Sequence, residues 1–211
     1  VSGHPQEAWG AYWELKSRLE DASETEVQGF LSRYAGTYQE DRLRNDWLLL
    51  LGQRRDWGNF AAHYSKFRMR DDKEVQCYAL LIDHLQGTAS LTNTTPAERV
   101  ALVRKNWWSL RDADDGCNLA ADRIINDPNA ATPLMTTHDA FVKARIATEV
   151  NRKRAAINAL QIVTNAGKSA RNEDTVLDII RLASSNADGA ASMLNAKGGS
   201  FSTEQRNLTW G

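Results

Sequence analysis

The 211-residue sequence contains little that would favour a β-rich fold, a highly charged partner or a membrane span. It has 9 Val and 8 Ile against 28 Ala and 21 Leu, a balance that favours helices over strands and argues against an all-β or parallel α/β fold. Its 26 basic and 27 acidic residues nearly cancel, so nothing indicates nucleic acid or an anionic membrane as a partner. The longest run of hydrophobic residues, 77–82, is far short of the ~20 residues that a transmembrane segment needs.

Motifs for catalysis or cofactor binding are also missing from the sequence. The four histidines, His4, His63, His84 and His138, are scattered, so we expect them on exposed helix faces rather than in a metal site. Neither a glycine-rich phosphate loop nor a serine nucleophile elbow occurs. Acidic pairs fall at predicted helix starts, where they complement the helix dipole. The sequence therefore predicts no cofactor, no metal and no catalytic residue.

The chain has two cysteines, Cys77 and Cys117. Two thiols cannot build a cysteine-rich metal site, and neither residue belongs to a CxxC pair. The residue types alone leave two alternatives, either two buried small hydrophobic side chains or one disulfide. Without a known compartment, the first alternative is favoured.

The sequence predicts a succession of short amphipathic helices. Two starts have the signature of a capping box, Ser23 with Glu26 and Thr95 with Glu98, and the second also has Pro96 at the first helical position. The other predicted helices begin near Pro5, Glu40, Asp56, Asp71, Asp114, Thr137, Lys153, Asn172, Asp188 and Ser202. The last of them has barely two turns before the sequence stops, so we expect the chain to end within a structural unit.

Short helices joined by short turns leave two all-α architectures, a globular bundle and an α-solenoid of stacked helical pairs. The tetratricopeptide signature is not met. We favour an irregular α-solenoid, because such folds are built from short helices that mainly contact their sequence neighbours. On this interpretation residues 1–211 form one superhelical domain.

The seven tryptophans raise the hypothesis of sugar stacking. Trp13, Trp47, Trp57 and Trp107 lie on apolar helical stripes, so we expect them in the core. Trp108 departs from its stripe and is the best candidate for an exposed aromatic residue.

Several segments, taken in order, resemble the large soluble lytic murein transglycosylases. The clearest are residues 31–36 (LSRYAG), 41–48 (DRLRNDWL), 55–60 (RDWGNF) and 74–79 (EVQCYA). Weaker likenesses extend the resemblance over nearly the whole chain, at residues 115–118 (DGCN) and 201–211 (FSTEQRNLTWG). In that family these motifs lie in a superhelical, non-catalytic domain of paired helices, which agrees with the solenoid inferred from the residues.

The resemblance also implies a function. The family cleaves the MurNAc–GlcNAc β-1,4 bond of peptidoglycan without water, leaving a 1,6-anhydro end, with a Glu of a Glu-Ser motif in a lysozyme-like C-terminal domain. No Glu of this chain precedes a Ser, so the implied role is to hold or steer a glycan strand toward a catalytic domain that these residues do not include. Arg42, Arg44 and Trp108 are the candidate glycan contacts, and we expect all three to be exposed. The alternative for each is a solvated helix face without a ligand.

A periplasmic location is implied as well, and it changes the expectation for the cysteines. In that oxidising compartment a disulfide between Cys77 and Cys117 is favoured, and closing its loop would contribute roughly 3 to 4 kcal/mol. The alternative function is a stand-alone α-solenoid adaptor for protein partners. The reading frame beyond Gly211 separates the two, since a continuation to a Glu-Ser motif supports the transglycosylase.

We predict that the chain alone releases no anhydro-muropeptides from purified peptidoglycan, because it lacks the Glu that would protonate the glycosidic oxygen. Chromatography with mass detection of the soluble products measures this release. An active lytic transglycosylase run in parallel shows that the substrate is competent. Anhydro-muropeptides released by this chain would contradict the prediction.

Overall fold

The computed structural model describes residues 5–130, 132–165, 173–183 and 185–210. Its helices are α1 (Pro5–Ser17), α2 (Glu24–Arg33), α3 (Tyr38–Gln53), α4 (Trp57–Tyr64), α5 (Lys73–Gln86), α6 (Pro96–Ser109), α7 (Gly116–Ile125), α8 (Thr137–Glu149), α9 (Lys153–Asn165), α10 (Glu173–Leu182), α11 (Ala187–Lys197) and α12 (Thr203–Trp210), with a 3₁₀ turn at Gly198–Ser200. These residues include no strand, which confirms the prediction of an all-α protein. Of the helices just named, none is long and apolar enough to cross a membrane.

Local capping chemistry determines where the helices begin. Both predicted capping boxes are present, and in each the Glu side chain accepts the backbone N–H of the capping residue, at 2.9 Å for Ser23 and 2.9 Å for Thr95. Helix α3 begins earlier than predicted, because Thr37 accepts the backbone N–H of Glu40. Helix α5 is capped by Asp72, the residue after the predicted Asp71, because the Asp72 carboxylate accepts two N–H groups of the first turn.

The helices divide into two compact units, Val1–Asn93 with α1 to α5 and Thr94–Gly211 with α6 to α12. In the first unit α3 packs against all four other helices. In the second, the pairs α6–α7, α8–α9 and α10–α11 pack together, and α6 with α8 and α7 with α9 also make contact. Packing between helices that are one or two places apart is the local pattern of stacked helical pairs. The contact of α12 with α8 departs from that pattern.

The core of the first unit forms around the crossing of α3 and α5. Leu43 and Leu48 of α3 and Tyr78 of α5 are fully buried there, together with Phe60 of α4. Gly52 permits the close approach, because a β-carbon at this position would lie 2.4 Å from the Tyr78 ring. Helix α5 is buried along most of its circumference, as its two apolar stripes predict.

Two buried charges hold neighbouring segments in place. The Asp83 carboxylate on α5 accepts the backbone N–H groups of Leu91 and Thr92 at 3.1 and 2.9 Å, and nearby hydroxyls add to these bonds. Burial opposes its ionisation, but the hydrogen bonds outweigh burial and lower the pKa of Asp83. In the second unit, the buried ammonium of Lys143 on α8 donates to the Trp107 carbonyl at 2.6 Å and so caps the C-terminal end of α6.

Cys77 on α5 and Cys117 on α7 are joined in a disulfide, and both are fully buried. The interpretation of two separate thiols is therefore wrong, and the disulfide that the family resemblance implied is confirmed. A structural disulfide is compatible with an extracytoplasmic location.

Replacing both cysteines, in Cys77→Ala/Cys117→Ala, is expected to lower the free energy of unfolding by roughly 3 kcal/mol, since the bond closes a long loop in the unfolded chain. Urea unfolding followed by circular dichroism measures the loss. A reductant should destabilise the natural protein and leave the double variant unchanged. Two reactive thiols in the unfolded, unreduced natural protein would contradict the disulfide itself.

Candidate functional site

The three candidate glycan contacts lie in different environments. Arg42 is half-buried and Arg44 is buried, both on α3, while Trp108 is half-buried on α6. The expectation that all three are exposed is therefore wrong for Arg44. None of them has been tested as a glycan contact, so that role stays a prediction.

Arg44 belongs to a buried polar network. Its guanidinium pairs with Glu40 one turn earlier, and its Nη1 lies 3.3 Å from Nδ1 of His63 on α4. Because a guanidinium can only donate, Nδ1 is the acceptor and the His63 ring is neutral. Burial, and then the charges of Arg44 and Lys66, lower the pKa of His63 to about 4. His63 is buried, so the expectation that it lies on an exposed helix face is wrong.

The first turn of α3 also holds the segment between α4 and α5 in place. The Asp41 carboxylate is almost fully buried and accepts the backbone N–H of Arg68 at 3.0 Å and of Met69 at 2.8 Å. The Arg68 side chain pairs with Glu40 at 3.2 Å. Asp41 and Arg44, two of the residues that carry the family resemblance, therefore hold α3 against the elements beside it.

Arg42 and Asp46 lie on a different side of α3, which faces α1. Together with Tyr12 and Lys16 of α1 they form what we call the polar cluster. The Tyr12 hydroxyl donates to Asp46 at 2.7 Å, and the Lys16 ammonium donates to Asp46 at 3.1 Å and to the Tyr12 oxygen at 3.0 Å. Partial burial opposes the charge of Arg42, but a hydrogen bond with Tyr12 and the charge of Asp46 outweigh it and raise the pKa of Arg42. The cluster thus places two cations around one carboxylate and one hydroxyl.

Beside the polar cluster lies an aromatic platform, formed by Trp9 and Trp13 of α1 and Tyr38 of α3. The three side chains are 37%, 58% and 54% exposed. The Trp9 and Trp13 rings stack at 22° with centroids 6.2 Å apart, and the Tyr38 centroid is 5.9 Å from that of Trp9. The Lys16 ammonium lies 5.9 Å from the Trp13 ring and so links the platform to the polar cluster.

The platform is a feature that the sequence analysis missed, and the expectation that Trp13 lies in the core is wrong. Helix α1 packs inward through Tyr12, Leu15 and Leu19, which recur at helical spacing. Trp13 follows Tyr12 directly and is rotated by about 100° from it, while Trp9 precedes Trp13 by one turn. The i, i+4 spacing of these two tryptophans, one position away from the buried stripe, is the signal that could have located the platform.

A groove of about 300 Å³ opens at the other end of the polar cluster. It lies between the end of α1 and α3, and its lining is mostly charged or polar. Lys16 and Asp46 line it together with Arg18, Glu20 and Asp21. The platform, the polar cluster and the groove follow one another along α1.

Trp108 serves the packing of α6 against α8. Its indole N–H donates to the Asp139 carbonyl at 3.2 Å, and Arg104 lies 5.9 Å from its ring while pairing with the Asp139 carboxylate at 2.7 Å. The expectation that Trp108 is the best exposed aromatic residue is wrong, since Trp9 and Trp13 expose more of their rings. Trp47 and Trp107 are buried, as predicted, and Trp57 is half-buried.

The His63 network predicts a loss of stability in acid. In the unfolded chain His63 takes up a proton near its ordinary pKa of 6.5. In the folded chain the pKa of His63 is about 4, so the ring stays neutral until the pH is much lower. The free energy of unfolding should therefore fall as the pH drops through this window, by up to about 3 kcal/mol, and the His63 contribution should be flat above it. Urea unfolding at a series of pH values, compared with His63→Gln, measures this contribution. Equal pH slopes in the two proteins would contradict it.

Among the described residues, no three His, Cys, Asp or Glu side chains are arranged to hold a metal ion. No family model matches the chain, and no curated protein matches it either.

Proposed function

We propose that this chain is the non-catalytic, glycan-holding part of a periplasmic lytic transglycosylase that acts on peptidoglycan. The observation that carries the proposal is that residues 41–48, one of the segments with a clear family likeness, contact neighbouring elements on two sides. The buried side of this segment, through Asp41 and Arg44, holds the helix in place, and its outer side contributes Arg42 and Asp46 to the polar cluster.

The polar cluster suits a carbohydrate because sugar hydroxyls both donate and accept hydrogen bonds. Lys16 and Arg42 offer donors and Asp46 offers an acceptor, while the buried Tyr12 hydroxyl holds Lys16 and Asp46 in place. These side chains are already held by one another, so binding a strand would cost little additional side-chain entropy. A rigid surface with many such weak contacts can fix where along the polymer a separate catalytic domain cuts.

The helix packing within each unit supports an irregular α-solenoid, since most contacts join helices one or two places apart. In this proposal the strand lies along α1 and α3 of the first unit. The reaction itself belongs to the catalytic domain, and no residue of this chain takes part in it.

The proposal predicts that the chain sediments with insoluble peptidoglycan and that Arg42→Gln weakens this binding. A lost charge-assisted hydrogen bond to a sugar should reduce affinity by about tenfold. The matched control is Arg145→Gln, which removes the same charge from an exposed residue that pairs with Glu149 one turn away, at 3.7 Å. The bound fraction at a series of peptidoglycan concentrations gives the three affinities.

Failure of the natural chain to bind peptidoglycan would overturn the proposal. Equal losses in Arg42→Gln and Arg145→Gln would show non-specific attraction to charge and would overturn it as well. Circular dichroism of both variants checks that each retains its helical content.

A further inference from the structure

We infer that the aromatic platform of Trp9, Trp13 and Tyr38 is a stacking subsite for the apolar face of a sugar ring in a β-1,4-linked N-acetylhexosamine strand. The identity of the polymer rests on the proposed function, whereas the assignment of the subsite rests on the geometry of α1 and α3.

The three rings contact one another and so form one connected, solvent-exposed aromatic cluster. Trp9 and Trp13 are nearly parallel, at 22°, and the Tyr38 ring lies 5.9 Å from that of Trp9 and is tilted to it by 47°, so the individual exposed rings offer the stacking faces. Tyr12, which is buried, supports Trp13 from beneath with ring centroids 5.0 Å apart. A surface held in this way can accept a flat apolar face without rearranging.

The area of the platform indicates what kind of ligand covers it. The exposed fractions of its members leave roughly 350 Å² of aromatic surface open to solvent, taking up to 250 Å² for a whole aromatic side chain. A stable protein interface buries about 800 Å² on each partner. The charged Lys16 lies beside the platform, its ammonium 5.9 Å from the Trp13 ring. The platform is too small for a protein partner or a second copy of this chain and suits a flat ligand such as a pyranose.

The polar surroundings specify a polyhydroxyl ligand. A pyranose presents its C–H groups on one face and its hydroxyls around its rim, so it needs an aromatic surface with donors and acceptors at its edge. The Lys16 ammonium lies over the Trp13 ring, 5.9 Å from its centroid, and contacts Asp46, which provides both kinds of group beside the exposed aromatic surface. The groove beyond Lys16 continues the polar surface.

The platform and the groove extend along one direction. From Trp9 to Ser17 helix α1 rises by about 12 Å, which is enough to pass more than one ring of a linear strand. Successive rings of a β-1,4 strand are rotated by half a turn, so one ring can stack on the platform while the next presents its hydroxyls to Lys16 and Asp46. The subsite therefore takes the strand lengthwise along α1.

The test uses the whole chain and chitotetraose, an uncharged N-acetylglucosamine oligomer, with isothermal titration calorimetry as the measurement. Trp13→Ala and Tyr38→Ala should each lower the affinity by about fivefold or more, and Trp13→Phe should restore most of it because an aromatic face is kept. The control is Leu85→Ala, which removes an exposed apolar side chain from α5 of the same unit and should leave the affinity unchanged. Circular dichroism confirms that each variant is folded.

The outcomes separate the subsite from the proposed function. If the natural chain binds peptidoglycan but Trp13→Ala binds chitotetraose as well as the natural chain does, the subsite is wrong and the proposed function stands. If chitotetraose binds in a Trp13-dependent way but peptidoglycan does not bind, the subsite stands and the proposed function is wrong. If neither ligand binds, both are wrong. A dimer in sedimentation that Trp13→Ala dissolves would assign the platform to self-association and overturn the subsite.

Discussion

The structure of the first unit depends on how α3 satisfies the charges that it buries. Removing a charged side chain from water costs several kcal/mol unless partners replace the solvent. Asp41 finds backbone N–H groups, and Arg44 finds Glu40 and a neutral His63. The bonds of Asp41 end on the segment between α4 and α5, and Arg44 reaches His63 on α4, so the partners that satisfy these charges also position the neighbouring elements. The orientation of α3 that results leaves Arg42 and Asp46 on the opposite side, where they meet α1.

Buried charges bond to neighbouring segments at two other places in the chain. Asp83 gathers the N–H groups of the residues that follow α5, and Lys143 takes the carbonyl end of α6. Asp41, Asp83 and Lys143 each bond to main-chain atoms, and main-chain atoms have few alternative positions. These ions therefore specify connections between helices, a role distinct from the apolar packing that supplies most of the stability. Several residues of the family-like segments have this architectural role.

The helices were predictable from the sequence because their signals are local. A capping box needs only residues three apart, and the boxes at Ser23 and Thr95 are both present. The direction in which a side chain points was less predictable, since one step along a helix rotates it by about 100° and the position of the neighbouring helix decides which side is covered. Trp13, Arg44 and His63 were misassigned for this reason. The aromatic platform was missed with them, because it joins α1 to α3 across a long separation in sequence.

Gly52 illustrates how a purely steric requirement can resemble a functional one. The Tyr78 ring occupies the place of a β-carbon at this position, and it is itself enclosed by Trp57 and Phe60, so it has no room to retreat. Any larger residue would act as a wedge between α3 and α5. In a mutational scan that selects for folded protein, position 52 should therefore tolerate as few amino acids as an active-site residue does. A position that accepts few substitutions can therefore reflect the close spacing of two helices. A search for ligand contacts that used only this criterion would select buried residues such as Gly52.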